Sequence, residues 1–238
     1  MNAVINRKTQ CINLGLTDYR QAWDYQAELF SGILDIKKQN RELPAERQLP
    51  TSNYLIFCEH PPVYTLGKSG DESNLKISKD DLSTIGATYY HSNRGGDITF
   101  HGPGQIVGYP VIDLENFFTD IHRYMRLLEE AVIQTLKHYG VEAGRIPGLT
   151  GVWIDPDDAV HARKICALGV KTSRWVTMHG FAFNVNTDLS YFDHIVPCGI
   201  SDKAVTSLEK ETGRKVNMNE INDVLKKNIG ELFNMVWI

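Results

Sequence analysis

Between Arg94 and Pro110 the chain reads Arg-Gly-Gly-Asp-Ile-Thr-Phe-His-Gly-Pro-Gly-Gln-Ile-Val-Gly-Tyr-Pro, and five of the protein's 19 glycines fall there. Glycine is used where the backbone takes positive φ or where another group comes close, and it weakens regular elements by roughly 0.5–1 kcal/mol relative to alanine. Two readings fit: a tight hairpin with a glycine-rich turn, or a loop whose main chain a ligand approaches. The interleaved groups favour binding, since Arg94 offers a planar fork of donors, Asp97 an acceptor, Thr99 a hydroxyl and His101 an imidazole. Neither G-x-G-x-x-G nor G-x-x-x-x-G-K-[ST] is present, so this is no nucleotide-phosphate fingerprint.

A chain of 238 residues with 42% hydrophobic residues can bury a full core, and nothing inside it marks a domain boundary. One domain over 1–238 is expected. The net charge of -4 argues against a nucleic-acid binder. Cys11, Cys58, Cys166 and Cys198 are scattered without C-x-x-C pairs, which fits a reduced compartment and neither a disulfide framework nor a zinc knuckle. With no apolar signal core and no long apolar run, the expectation is a cytoplasmic monomer that engages no membrane.

Taken in order, Cys11 to Gly15 predicts a strand, and Thr17 a cap for a helix running to about Gln39. Tyr54 to Cys58 is an apolar strand ended by His60-Pro61-Pro62, with Val63 to Gly70 expected as loop. Cys58 and His60 make only half a metal site, so Cys58 is read as core. A short helix from Ser78 to Gly86 and a strand from Thr88 to Ser92 lead into the glycine stretch, and Gln105 onward leaves it as a strand. The strongest helix spans about Thr119 to Tyr139, stopped by Gly140. Strands at Gly151–Ile154, Lys164–Val170 and His179–Val185, a short one at Thr206–Leu208 and a last helix from about Asn219 to Asn234 complete an α+β pattern, a mixed sheet flanked by helices.

Cys198, between Pro197 and Gly199, is a plausible exposed thiol; the competing reading is a small apolar residue in a turn. Only the thiolate attacks, so a nucleophilic Cys198 needs a proton acceptor. His101, His179, His194 and Lys164 are candidates. Lys164 opens an otherwise apolar strand, and two readings stand side by side: lost hydration favours its neutral form, or it merely starts the strand with its ammonium in water.

Five blocks now stand in order: Glu59-His-Pro-Pro-Val-Tyr-Thr-Leu-Gly67, Arg94 to Gln105, Arg163-Lys-Ile-Cys-Ala-Leu-Gly169, Met178-His-Gly-Phe-Ala-Phe-Asn-Val185 and Pro197-Cys-Gly199. Together they resemble the octanoyltransferases of protein lipoylation, which share a fold with lipoate and biotin protein ligases. The resemblance implies that Cys198 is the acyl-thioester nucleophile and Lys164 the lysine that activates it, with no cofactor and no metal. It also implies substrate contact along Arg94, Gly95, Gly96, Asp97, Ile98, Thr99, Phe100 and His101, and along Ala167, Leu168, Gly169, Gly180, Phe181 and Ala182. The implied donor is octanoyl-acyl carrier protein. The implied acceptors are lipoyl domains of 2-oxoacid dehydrogenase complexes and the glycine cleavage H protein. Backbone amides near Cys198 and Gly199, with His101, are expected to hold the oxyanion. Arg163, Lys171, Arg174 and Lys203 are expected to form a basic rim for the acidic carrier. The alternative is an ATP-dependent lipoate or biotin protein ligase, against which Pro197-Cys198-Gly199 speaks.

Overall fold

The computed structural model of the chain describes residues 5–196 and 204–238. β1 (Lys8–Leu16) leads into α1 (Tyr19–Asn40). The cap of α1 is Asp18, whose carboxylate accepts the Arg20 and Gln21 amides at 2.9 and 3.2 Å. Thr17, the expected cap, instead donates its hydroxyl to the Leu14 carbonyl at 2.8 Å, so the helix starts one residue later.

β2 (Asn53–Glu59) stops before the two prolines, but the chain resumes at once as β3 (Val63–Leu66), where a loop was expected. Four buried residues are too few to show a period. What makes them a strand is long-range pairing, parallel to β4 (Thr88–His91) and antiparallel to β5 (Thr99–His101), in a separate three-stranded sheet. β6 (Gln105–Val111) follows, then α2 (Ile121–His138), capped by the Asp120 carboxylate and ended before Gly140. β7 (Gly144–Ile146), β8 (Leu149–Ile154), β9 (Arg163–Ser173) and β10 (Val176–Asn184) run antiparallel to one another. The chain closes with β11 (Ala204–Val205), α3 (Leu208–Thr212), α4 (Met218–Phe233) and β12 (Val236–Trp237). The strand expected at Thr206–Leu208 is displaced, because Ser207 accepts the Lys210 amide and draws Leu208 into α3.

The large sheet has the order β12-β1-β2-β6-β10-β9-β8-β7, with β11 also paired to β9. It is mixed: β12, β1 and β2 are mutually parallel, while the strands from β2 through β6 to β7 alternate in direction. Alternation splits the apolar residues between its faces. Leu55 and Phe57 of β2 join Leu128, Val132 and Leu136 of α2 and Leu225 and Ile229 of α4, whereas Ile56 and Cys58 join Ala22, Phe30 and Ile33 of α1. The expected mixed sheet between helices is therefore what the chain forms. Among the described residues no helix is long and apolar enough to cross a membrane.

Leu128 is fully buried between α2 and the sheet. Leu128→Ala is expected to cost about 2–5 kcal/mol through lost burial and the cavity it leaves. Urea denaturation measures this, and a loss under about 1 kcal/mol would show that this face collapses around the gap.

Candidate functional site

The glycine stretch folds over the large sheet because its backbone is stitched down on both sides. The Gly95 amide donates to the Val170 carbonyl of β9 at 2.9 Å, and the Lys68 amide donates to the Arg94 carbonyl at 2.9 Å. The Arg94 guanidinium reaches the Thr65 carbonyl and hydroxyl at 2.5 and 2.9 Å, tying the loop to β3. Gly169 allows the approach, since a Cβ there would sit 2.7 Å from the Gly95 carbonyl oxygen and 3.2 Å from the Arg94 guanidinium.

Beneath this loop lies a narrow, mostly apolar slot. Of the residues expected to contact substrate, Arg94, Gly96, Asp97, Ile98, Thr99, His101, Ala167, Leu168, Gly169, Gly180, Phe181 and Ala182 line it. Two do not. Gly95 lines a neighbouring groove instead. Phe100 is fully buried on the other side of β5, stacked on Tyr191 with ring centres 4.6 Å apart, because strand alternation sends it away from Thr99 and His101. Tyr19, Val107, Tyr109 and His179 complete the lining. Tyr19 and Tyr109 look in sequence like ordinary packing residues, and only the fold brings α1 and β6 together here.

The adjoining groove, about 1370 Å³, is open and shares Gly96, Asp97, Leu168 and Gly169 with the slot. Its other walls are the first turns of α2, with Ile121 and Met125, and the turn before β8. Lys164 stands in it, with 8% of its surface exposed and Nζ 4.7 Å from the centre of the Trp153 ring. Gly151 lies against its stem, where a Cβ would come within 3.2 Å of the Lys164 Cε. Beyond Cys166 the place of β10 beside β9 passes to β11, so Val205 pairs with Lys164 on one side and Trp153 on the other.

Cys198, Lys203 and the backbone near Gly199 lie outside the described residues. The residues on either side are placed: the Val196 amide donates to the Asn74 carbonyl, Asn74 in turn holds the Asp97 carboxylate at 2.6 Å, and Ala204 pairs with Arg163. Asp97 is thus a loop staple as well as a lining residue, its other oxygen accepting the Ile98 amide at 2.7 Å. Cys166 is buried in the main core. His194 lines neither cavity.

Three imidazoles are buried around the slot. His60 accepts from Tyr109 at Nε2 and donates from Nδ1 to the Thr17 carbonyl, both at 2.7 Å. His101 has Gln105 at Nδ1, 2.8 Å, and Thr65 at Nε2, 3.2 Å. Both ring nitrogens of His101 are thus engaged within the wall of the slot. His179 takes the left-handed conformation at φ +58°, giving its amide to Gln26 and meeting Asn93 at Nε2. Such a conformation costs about 1–2 kcal/mol and persists because two side chains hold it. Burial lowers the pKa of all three imidazoles, and that of His179 falls to about 3 through desolvation and then the charges of Arg94 and Lys171. The expected basic rim is thinner than the sequence suggests: Arg163 is ion-paired to Glu211 and Asp155, and the Lys171 ammonium lies 5.0 Å from the Phe30 ring centre. Among the described residues no group of three or more His, Cys, Asp or Glu is placed to hold a metal ion.

The lipoyl protein ligase A/B catalytic domain matches residues 18–230. Proteins named octanoyltransferase are similar over nearly their whole length: one from Cytophaga hutchinsonii is 57% identical over 99% of this chain and 96% of its own, and one from Christiangramia forsetii 59% identical over 96% and 97%. Among solved structures, a bipartite lipoate protein ligase from Thermoplasma acidophilum superposes with TM-score 0.69 at 17% identity, covering 98% of this chain and 86% of that one. A lipoate-protein ligase A bound with ATP gives 0.68 at 16%, covering 97% and 87%. Those two likenesses concern the fold.

The histidines give a stability prediction. His179 binds a proton near pH 6.5 when unfolded and only near 3 when folded, so acid favours the unfolded chain. Its contribution is retained above about pH 6.5 and lost on acidification at about 1.4 kcal/mol per pH unit. Urea midpoints at about pH 7 and about pH 5 are expected to fall, and to fall less in His179→Gln. Equal acid sensitivity in the two proteins would mean that His179 is protonated in the fold.

Proposed function

Because the chain belongs to the octanoyltransferases, within the lipoyl protein ligase A/B catalytic-domain family, we propose that it moves an octanoyl group from a thioester donor through Cys198 to a lysine amine. The observation that carries this reading is the junction of the apolar slot with the larger groove in which Lys164 stands. An acyl chain fits the first and its reacting carbonyl belongs at the mouth, beside the second. Each methylene buried in the slot contributes about 0.8 kcal/mol. The two described flanks of the Cys198 segment support it, Val196 being tied through Asn74 to Asp97 and Ala204 pairing with Arg163, next to Lys164.

The reaction runs in two halves. Lys164 takes the Cys198 proton, and the thiolate attacks the donor's thioester carbonyl. A new C–S bond forms at Cys198, the donor sulfur leaves, and Lys164 returns the proton to it. In the second half the ε-amine of the acceptor lysine attacks the Cys198 thioester. The C–N bond forms, the C–S bond breaks, and the proton lost by the amine restores the thiol. Thioester exchange is nearly balanced and the final amide is far more stable, so no nucleotide is consumed. The donor is octanoyl-acyl carrier protein, and the acceptors are lipoyl domains of 2-oxoacid dehydrogenase complexes and the glycine cleavage H protein.

Intact mass after mixing with octanoyl-acyl carrier protein tests this. One octanoyl group is expected on the wild type and none on Cys198→Ala, with acylation slowed at least about 100-fold in Lys164→Ala. An apo lipoyl domain is expected to discharge the adduct. No adduct, while octanoate with ATP still modifies the lipoyl domain, would replace the transferase by a ligase.

A further inference from the structure

From Arg94 to Lys164, hydrogen bonds run in one direction through buried side chains. Arg94 donates to the Thr65 hydroxyl, and that hydroxyl donates to His101 Nε2 at 3.2 Å. His101 Nδ1–H donates to Gln105 Oε1 at 2.8 Å, Gln105 Nε2 to Asn184 Oδ1 at 2.9 Å, and Asn184 Nδ2 to the Thr206 carbonyl at 3.0 Å. The Thr206 amide then donates to the Lys164 carbonyl at 2.9 Å. The order admits no flip. Gln105 Nε2 also donates to the Phe100 carbonyl, and carbonyls at Phe100 and Thr206 accept only, so both amides and the histidine tautomer are set. Gln105, Asn184 and Thr206 are 1%, 4% and 0% exposed.

We propose that Asn184 is a positioning residue of the transfer: by holding the Thr206 carbonyl it keeps β11 in register with Lys164, and through Gln105 and His101 it ties that register to the wall of the slot. Among the described residues β11 pairs with β9 through two residues, a short ladder that side chains reinforce. These are Asn184 on the Thr206 carbonyl and Glu211 on the Thr206 hydroxyl, Glu211 itself being clamped by Arg163. The chain that emerges from the segment containing Cys198 therefore meets Lys164 at a fixed place. That consequence rests on the reading of the reaction given above; the clamp itself does not.

Two variants and two readouts test it. Asn184→Ala is expected to raise amide exchange at Thr206 by on the order of tenfold and to slow Cys198 octanoylation by a similar factor, with the rest of the exchange pattern kept. Asn184→Asp supplies a readout that a packing role would not move. As a carboxylate it faces the Thr206 carbonyl without a proton; once protonated it can again donate there while accepting from Gln105. Its titration is set by burial and by the groups around it, Glu211 from α3, His101 from β5, and Lys164 and Cys166 from β9. Burial and Glu211 raise its pKa above the ordinary value near 3.9. The Asp variant's octanoylation rate, divided by that of the wild type, is expected to climb several-fold from about pH 8 to about pH 5.5, while the same ratio for the Ala variant stays flat. Unchanged exchange at Thr206 in Asn184→Ala, or equal pH profiles for the two variants, overturns the proposal. A wild type that takes no octanoyl group on Cys198 overturns the reading of the reaction instead, and exchange at Thr206 still decides the clamp.

Discussion

The bond from the Gly95 amide to the Val170 carbonyl is the point on which the site depends. It brings the loop's main chain onto β9 at Gly169, the position where a side chain would forbid contact, and so turns an open sheet face into a roofed slot. Arg94 closes the other side by binding Thr65 on the small sheet. Arg94 thus adds to the Gln105 bonds with His101 and the Phe100 carbonyl in joining two sheets that share no strand pairing among the described residues.

Polarity around the slot rests chiefly on neutral side chains, and the one lining carboxylate, Asp97, is spent on Asn74 and the Ile98 amide. His60, His101 and His179 are all buried in neutral form, each held by hydrogen bonds that define which nitrogen carries the proton. A neutral network of this kind rigidifies a wall while leaving it compatible with an apolar ligand, whereas an unpaired charge there would carry a large desolvation cost. The groove beside it is different in kind: it is open, and Lys164 lies in it on an aromatic face. The two cavities are separated by a few residues of shared wall.

How much was legible depended on the range of the interaction. The long helices were readable because an amphipathic period and a stop residue are local, and α1, α2 and α4 differ from expectation by a residue or two at their ends. β3 and α3 were not, since four paired residues and one serine cap carry no period. In the site, the glycine density at 94–110 announced a close backbone approach, but not what is approached. Phe100 shows the limit: it lies inside the motif, and alternation along a three-residue strand turns it to the opposite core. Arg163 shows another, because its partners Glu211 and Asp155 come from distant sequence and neutralise a charge that looked available.

By itself the sequence determined the mixed sheet with flanking helices, the family through five ordered blocks, and the segments that would line a cavity, because these follow from local periodicity and from residue types whose backbone needs are intrinsic. Only the tertiary structure decided that Tyr19 and Tyr109 share that cavity, that His101 spends both nitrogens on its neighbours, and that Asn184 reaches the partner strand of Lys164. Each of those depends on which strand lies beside which. Pairing across 20 to 150 residues leaves no mark in the local pattern.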